Sequence, residues 1–419
     1  TFQLSVQLLL DFGFIDVKTI SDETGASYIM EGSVRKQDNN LRITAQFIES
    51  KRDIHIWAES FRGTMDDIFD IQEKVSLKIV EALRLHLTGS DKNLLEKRYT
   101  DDTEAYQLYL QGRFFWAKRN ADSLSTAVRY FENAIEKDND YALAWAGLAD
   151  TYSLMGEYTN TSRREVLAKQ TEAINKALQI DNRLGEAHIS LAISLMLNEW
   201  DWKNSEKECK IGIELSPNYA TGHHWCAEWL LFMDSKEEAL KEITIAVDID
   251  PVSPGILKDK GIHFYYNRKY DEAIELATKT LDLDPEFVPA FRLRSLAYQA
   301  KGMIDEAIAE NERWGRGLNN KLKTDIALAH IYADGKRKEE AKAIVENIDM
   351  TLKKGGNDYR GVALVYASLG DTDKAFEWLD KSYQMHEESL CSLKIDPKFD
   401  ILHSDQRFKI MLKKIGLEK

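Results

Sequence analysis

Five alanines, Ala239, Ala273, Ala307, Ala341 and Ala375, stand 34 residues apart in unbroken succession. Each follows a short charged stretch: KEEAL, YDEAI, IDEAI, KEEAK and TDKAF. Pro217, Pro251 and Pro285 repeat the same step and use three of the six prolines in the 419-residue chain. A fixed period of this length means that one supersecondary unit recurs and stacks on its neighbours, because no single unit can bury its own apolar face. A small residue at a fixed slot lets two helices approach closely. A proline at a fixed slot ends a helix, since it lacks an N–H and clashes with the preceding turn.

The residue types within the period are those of paired helices. Trp145, Leu148, Ala149 and Tyr152 sit at the spacing of W-x2-L-G-x2-Y, with Ala in the Gly position, and Ala127 and Phe131 fit A-x3-F in the preceding unit. This pattern resembles the tetratricopeptide repeat. The resemblance implies a mainly α fold, a right-handed α-solenoid of about eight helix pairs over 103–389. The units fall near 105–141, 142–184, 185–219, 220–253, 254–287, 288–321, 322–355 and 356–389. The first three carry short insertions, the largest around Gly156–Arg164, with Asp201-Trp202 at the equivalent turn of the third. Residues 390–419 then form a capping segment with a helix over Asp405–Ile415, because a solenoid's last repeat otherwise exposes an apolar face.

Residues 1–90 read as a small α/β unit. Tyr28–Arg35, Leu41–Glu49 and Ile54–Phe61 have strand character, and Leu41, Ile43, Ala45 and Phe47 alternate with polar residues at period two. Asp38-Asn39-Asn40 supplies a turn. Ile68, Ile71, Val75, Ile79 and Leu83 recur at helical spacing, predicting an amphipathic helix over Asp66–Leu87. A shorter helix over Val17–Thr24 ends at Gly25. The stretches from Asp16 to Gly25, Tyr28 to Arg35, Leu41 to Gln46, His55 to Glu59 and Asp67 to Gln72 resemble the TolB amino-terminal-like domain. The likeness continues through Glu104–Arg113, Tyr141–Asp150, Trp200-Asp-Trp202, Asp396–Phe399 and Ser404–Phe408. That family pairs the domain with tetratricopeptide repeats in bacterial signalling proteins, and implies an upstream class III nucleotide cyclase or winged-helix output domain. Residues 1–15 depart from the pattern, and the domain's first elements would precede Thr1. Together with the absence of an initiating Met, the expectation is either a processed or excised chain or an abbreviated form of the domain.

Composition narrows the partners. Lys plus Arg is 56 against 70 Asp plus Glu, a net charge of −14. Nucleic acid and anionic membrane surfaces are thereby disfavoured, since both are held largely by basic side chains. No apolar run reaches the length of a membrane span; Ile189–Leu197 is one helix-core segment, broken by Ser190 and Ser194. Cys209, Cys226 and Cys391 are odd in number and form no C-x-x-C pair, so they read as three buried thiols without a disulfide, which suits the cytoplasm.

The search for chemistry is mostly negative: the sequence holds no G-x-S-x-G, H-E-x-x-H or G-x-x-x-x-G-K-[ST]. Gly315-Arg-Gly317 is half a dinucleotide fingerprint and follows a helix rather than a strand. His223-His224 with Cys226 offers metal-ligand types, but adjacent helical residues point apart, so neither metal nor cofactor is expected. His386-Glu387-Glu388 reads as a solvated face. What remains is the concave surface, where the resemblance places Tyr106, Tyr109, Arg113 and Trp116, then His224, Glu228 and Phe232, then Lys258, Tyr265 and Tyr266, then Arg292 and Gln299. Tyr, Trp and Arg are the residues of interaction hot spots. An extended peptide could lie there with its carboxylates on Lys258 and Arg292. The Asn ladder of chaperone-tail clamps is absent from the slots that would carry it. The reading is thus a non-enzymatic protein- or peptide-binding scaffold, the regulatory part of a bacterial signalling protein. The alternatives are an accessory region of a nucleotide cyclase, or an enzyme site between the α/β unit and the repeats using Arg35, Arg42 and Glu59.

Overall fold

The computed structural model describes residues 21, 25–38, 40–83, 97–159, 163–318, 320–352 and 358–418. The chain divides into two compact units, one of residues 1–108 with 133–141 and the other of 109–132 with 142–419.

In the first unit, strands β1 (Tyr28–Gln37), β2 (Asn40–Glu49) and β3 (Ile54–Thr64) form an antiparallel meander in the order β1-β2-β3. The alternation read in β2 sets its register: Leu41, Ala45 and Phe47 are buried and Ile43 packs beside them. Tyr28 and Trp57 flank Phe47 in stacked arrangements. Helix α1 (Ile68–Ala82) lays Ile71, Val75 and Ile79 on Ala45, Phe47 and Phe61. Asp67, just before α1, folds back on the end of β3 and accepts from the Thr64 amide at 2.7 Å. The predicted extension of this helix past Leu83 lies outside the described residues, as does most of the helix expected over 17–24. Ser21 is helical, and Gly25, at φ 71°, donates its N–H to the Ser21 carbonyl at 2.8 Å. Gly25 is therefore the left-handed cap anticipated. Within the same unit Tyr106 packs against Phe69, 5.0 Å between ring centres, and accepts from Gln72 at 2.9 Å.

From Thr103 onward the described regular elements are helices, arranged in consecutive pairs. They are α2 (Thr103–Ala117) and α3 (Ala121–Lys137), α4 (Ala142–Tyr158) and α5 (Arg163–Ile180), α6 (Gly185–Ser194) and α7 (Trp202–Leu215), and α8 (Ala220–Phe232) and α9 (Lys236–Ile249). Four more pairs follow: α10 (Pro254–Tyr266) and α11 (Tyr270–Leu283), α12 (Val288–Ala300) and α13 (Ile304–Leu318), α14 (Lys321–Asp334) and α15 (Lys338–Leu352), and α16 (Tyr359–Leu369) and α17 (Thr372–Gln384). The chain is a mainly α tetratricopeptide-like array preceded by a small three-stranded sheet. All five marker alanines have no exposed surface. The backbone repeats with the same step: Asp234, Arg268, Gly302, Lys336 and Gly370 all have positive φ at the turn between the helices of a pair. After each, the next amide bonds back five residues, as from Lys269 to Phe264 and from Arg337 to Tyr332. This bond satisfies a carbonyl that the end of the first helix leaves open.

Two expectations are corrected here. Cys209 on α7 and Cys226 on α8 are joined in a disulfide, with Cα atoms 5.7 Å apart. A separation of 17 residues says nothing of pairing until α7 and α8 are folded side by side. Cys391 remains a buried thiol whose Sγ donates to the Met196 carbonyl. Nor is His386–Glu388 a solvated face. Glu387 accepts from the Tyr359 and Arg360 amides at 2.9 and 3.0 Å, capping α16, and His386 stacks on Trp200 at 3.7 Å. A carboxylate there satisfies orphan N–H groups and meets the positive end of the helix dipole.

The closing segment does more than cover the last repeat. Helix α18 (Gln406–Lys414) follows two 3₁₀ turns, Glu388–Ser392 and Pro397–Leu402. Arg407 and Lys414 pair with Asp373 and Asp380 of α17. The segment also reaches back to much earlier helices. Ile395 packs with Leu231 and Ala239, Arg268 pairs with Asp400, and Trp202 Nε1 donates to the Ile415 carbonyl at 2.7 Å. The Trp200-Asp-Trp202 motif thus anchors the segment; a π-helical turn at Leu195–Glu199 and a left-handed Trp200 set its direction.

Candidate functional site

The 34-residue step carries over to the inner helices. His224 (α8), Lys258 (α10), Arg292 (α12), Ile326 (α14) and Arg360 (α16) occupy one slot, and Glu228, Ile262, Leu296, His330 and Leu364 the slot one turn on. All ten line a single cavity of about 700 Å³. Its other walls come from the α2–α3 turn, from α4 and α6, and from Glu388, Ser389, Ser392 and Lys398 of the closing segment. A period of 34 residues keeps a slot on the same face of every first helix, so a column in the sequence becomes a column in space.

Five of the nine expected groove residues, His224, Glu228, Lys258, Tyr266 and Arg292, face this cavity. The other four are held elsewhere. Arg113 donates to Asp150 at 3.1 Å and lies 4.1 Å over the Trp116 ring. Asp150, itself buried, also accepts from Ser190 at 2.6 Å and Tyr219 at 2.8 Å. Trp116 is buried edge-on to Trp225. Tyr265 is in the core with Ala273, Ala277 and Leu293. Gln299 is buried between His330 Nδ1, at 2.6 Å, and Asp334, at 2.7 Å. These four tie helix pairs together, Trp116 reaching from the first pair to the fourth. The unassigned polar residues of the sheet are exposed and engaged with neighbours: Arg35 and Arg42 face each other across β1 and β2, Arg42 bonds Ser60, and Glu59 pairs with Lys78.

The cavity's charges are mostly neutralised from within. Asp259 accepts from His224 Nε2 at 2.9 Å and from Lys258 Nζ. Burial opposes ionisation of Asp259, but those two partners outweigh it and hold its carboxyl well below the usual range. Burial drives the His224 imidazole down, and the Arg119 and Lys258 charges add to that. The donors of His224, Glu228 and Asp259 lie within 4.8 Å of one another. A cation there would have to displace Lys258 from Asp259 and sit in the field of Arg119, so the donor set reads as an ion-pair relay. At the far wall Arg360 bonds Asp396 at 2.5 Å and Ser392 at 3.2 Å, and Lys398 lies 3.5 Å from Asp396. Against the cost of burial, Lys398 and Arg360 keep the Asp396 carboxyl low. Burial brings Lys398 down to about 8.

Arg292 is different. Among the described residues no hydrogen bond or ion pair engages its guanidinium, and Nη1 is buried without a partner. It is stacked 4.8 Å over the Trp314 ring. Desolvation lowers its basicity, while Tyr265, Asp358 and Asp396 pull the other way. Sequence reasoning named Arg292 but missed Arg360, His330, Asp259, Trp314 and Lys398. Stepping from Arg292 by two periods reaches Arg360, so that member was legible in the column.

Residues 258–317, helices α10 to α13, match the tetratricopeptide repeat family. The match is to that segment, 60 of the 419 residues. Over 183 residues the chain is 33% identical to a protein of Rhizobium meliloti (strain 1021) named "Putative adenylate cyclase 3", a match covering 43% of this chain and 31% of that protein. Over 303 residues it is 26% identical to the Superkiller complex protein 3 of Mus musculus, covering 70% of this chain and 18% of that one. The matches therefore span less than a third of either relative. Among solved structures, pilF of Pseudomonas aeruginosa is 17% identical, covers 50% of this chain and 93% of its own, and has a TM-score of 0.37. The APC/C hetero-tetramer Cut9-Hcn1 gives 14%, 73%, 53% and 0.46 for the same quantities. No helix among the described residues is long and apolar enough to cross a membrane.

Proposed function

We propose that this chain is a non-catalytic interaction module that binds a protein or peptide on the inner face of its repeats, and that it serves as the regulatory part of a bacterial signalling protein. The observation that carries the first half is the 34-residue array itself, with its buried marker alanines and the repeat match at 258–317. Such arrays present one slot per repeat along a continuous surface, which suits extended partners. His224, Glu228, Lys258, Tyr266 and Arg292 form the recognition column, with the acidic groups of the partner on the basic members. The identity to a putative adenylate cyclase supports the signalling half, with the sheet unit as a TolB-like module between an upstream output domain and the repeats.

Two measurements test this reading. Cross-linking in the source cells followed by capture of the chain should recover a partner that is lost in the Lys258→Glu, Tyr266→Ala double variant; recovery of the same proteins by both would refute the inner-face site. The intact mass of the native polypeptide should greatly exceed 48.1 kDa if an output domain is attached, and a mass near that value would refute the regulatory half.

A further inference from the structure

The inner cavity also has the properties of a small-molecule site. Its volume of about 700 Å³ lies in the middle of the range of roughly 300–1,000 Å³ typical of ligand pockets. Its walls are mixed. Ile193, Leu197, Phe232 and Ile262 supply an apolar lining, and basic groups line it in one column of the repeat. The chain as a whole is strongly acidic, yet six Lys or Arg side chains and two histidines line this space against five Asp or Glu.

The pairing within the column singles out one position. His224 and Lys258 share Asp259; Arg360 and Lys398 share Asp396. Arg292 stands between these two clusters in the 34-residue step and has no such partner. Arg292 as a residue is half-buried, but its Nη1 is buried without a partner among the described residues, which is costly because little there replaces the hydration it loses. The Trp314 ring, with the guanidinium carbon 4.8 Å from its centre, offsets part of this. A planar guanidinium in a partly apolar chamber is suited to a carboxylate or another oxyanion, which it can hold through two parallel N–H···O bonds. Room for a long peptide is reduced because Ser392 and Lys398 of the chain's own closing segment form one wall.

We propose that the cavity binds a small organic anion with an apolar body, its acidic group on Arg292 and its body against Phe232, Ile262 and Trp314. This is an effector site in the same cavity as the proposed recognition column and it shares Arg292 with that column, so effector and partner would compete there; the probe titration reads the effector alone, and the capture experiment reads the partner alone.

The probe is 8-anilinonaphthalene-1-sulfonate, an arylsulfonate of this class, titrated by fluorescence into the full chain. Saturable one-site binding is expected, weakened about tenfold or more in Arg292→Gln, as loss of a charge-assisted bond requires. Arg292→Lys should recover part of the affinity, and Arg316→Gln, at an exposed position, should leave it unchanged. Octanoate should displace the probe and octanamide should not. Absence of saturable binding by the unmodified chain overturns the proposal. So does Arg292→Gln binding within about twofold of the parent, or equal displacement by octanoate and octanamide. Melting curves on each variant separate lost folding from lost recognition, and if Arg292→Gln is unfolded the octanoate–octanamide comparison on the parent decides.

Discussion

Protonation and burial meet most sharply at single side chains. His263 is 1% exposed, and among the described residues neither ring nitrogen has a partner. Burial pushes its imidazole down to about 3, and His330 by the same cause to about 4. His224 is lowered too. In the unfolded chain these groups protonate near 6.5, so below that pH the unfolded state binds protons that the folded state refuses. Stability therefore falls as pH drops from 6.5 towards 4, by up to about 1.4 kcal/mol per pH unit for each histidine. His223 runs the other way. Despite burial, Glu242 and the Pro217 carbonyl raise it, so its contribution is present below 6.5 and is lost as pH rises through its folded value. Replacing His263 by Leu should raise the urea midpoint at pH 5 by the equivalent of about 1–2 kcal/mol and change it less at pH 8; equal shifts at both values would exclude the protonation account. At Asp150 the expectation is loss. Asp150→Ala strands Arg113, Ser190 and Tyr219 and should lower unfolding free energy by about 3–5 kcal/mol, read from the same titrations.

At the level of the helix pair, close approach and turn chirality dominate. Phe131 has no exposed surface and lies between Gly112 and Gly147, where an added Cβ would come within 2.6 Å of its ring in both cases. Gly147→Ala improves helix propensity and still should destabilise by about 1–3 kcal/mol, because overpacking outweighs propensity. The turns show the opposite opportunity. Lys336 is exposed and held at φ 62°, in a slot that Gly302 and Gly370 fill in neighbouring repeats. Lys336→Gly should stabilise by about 1 kcal/mol, since a side chain in the left-handed region is strained. Thermal unfolding of the two variants together checks both signs.

For the molecule as a whole the cross-links between repeats, near and far, matter. The Cys209–Cys226 disulfide closes a loop of about 17 residues and should contribute about 3 kcal/mol. Unfolded but unreduced protein should take one iodoacetamide label, at Cys391, and three after reduction; three labels without reductant would show that the bond is not formed. Reduction should also lower the thermal midpoint. The closing segment sets a second condition. Leu390, Leu393, Phe399 and Phe408 are buried to within 2%, and the segment binds α7, α8 and the α10–α11 turn as well as α16 and α17. Its loss would therefore loosen helices some 200 residues earlier in the chain.

The repeat period, the helix pairing and the strand alternation of β2 could be read from the residues alone, because each depends on local geometry. Ala at a fixed slot must meet a helix, and Leu41, Ala45 and Phe47 must share a face. The membership of the inner column was half legible. His224, Lys258 and Arg292 follow from the 34-residue step, but whether each is paired does not. Asp259 and Asp396 neutralise their neighbours, and Arg292 is left over, only through contacts across helices and with the closing segment. Arg113, Trp116, Tyr265 and Gln299 carry the same residue types as a binding surface, yet tertiary packing turns them into ties between helix pairs. The disulfide and the seat of Glu387 on α16 depend on the same kind of information. Sequence determines what each turn of helix can do; which turns meet is decided by the inter-helix contacts taken together.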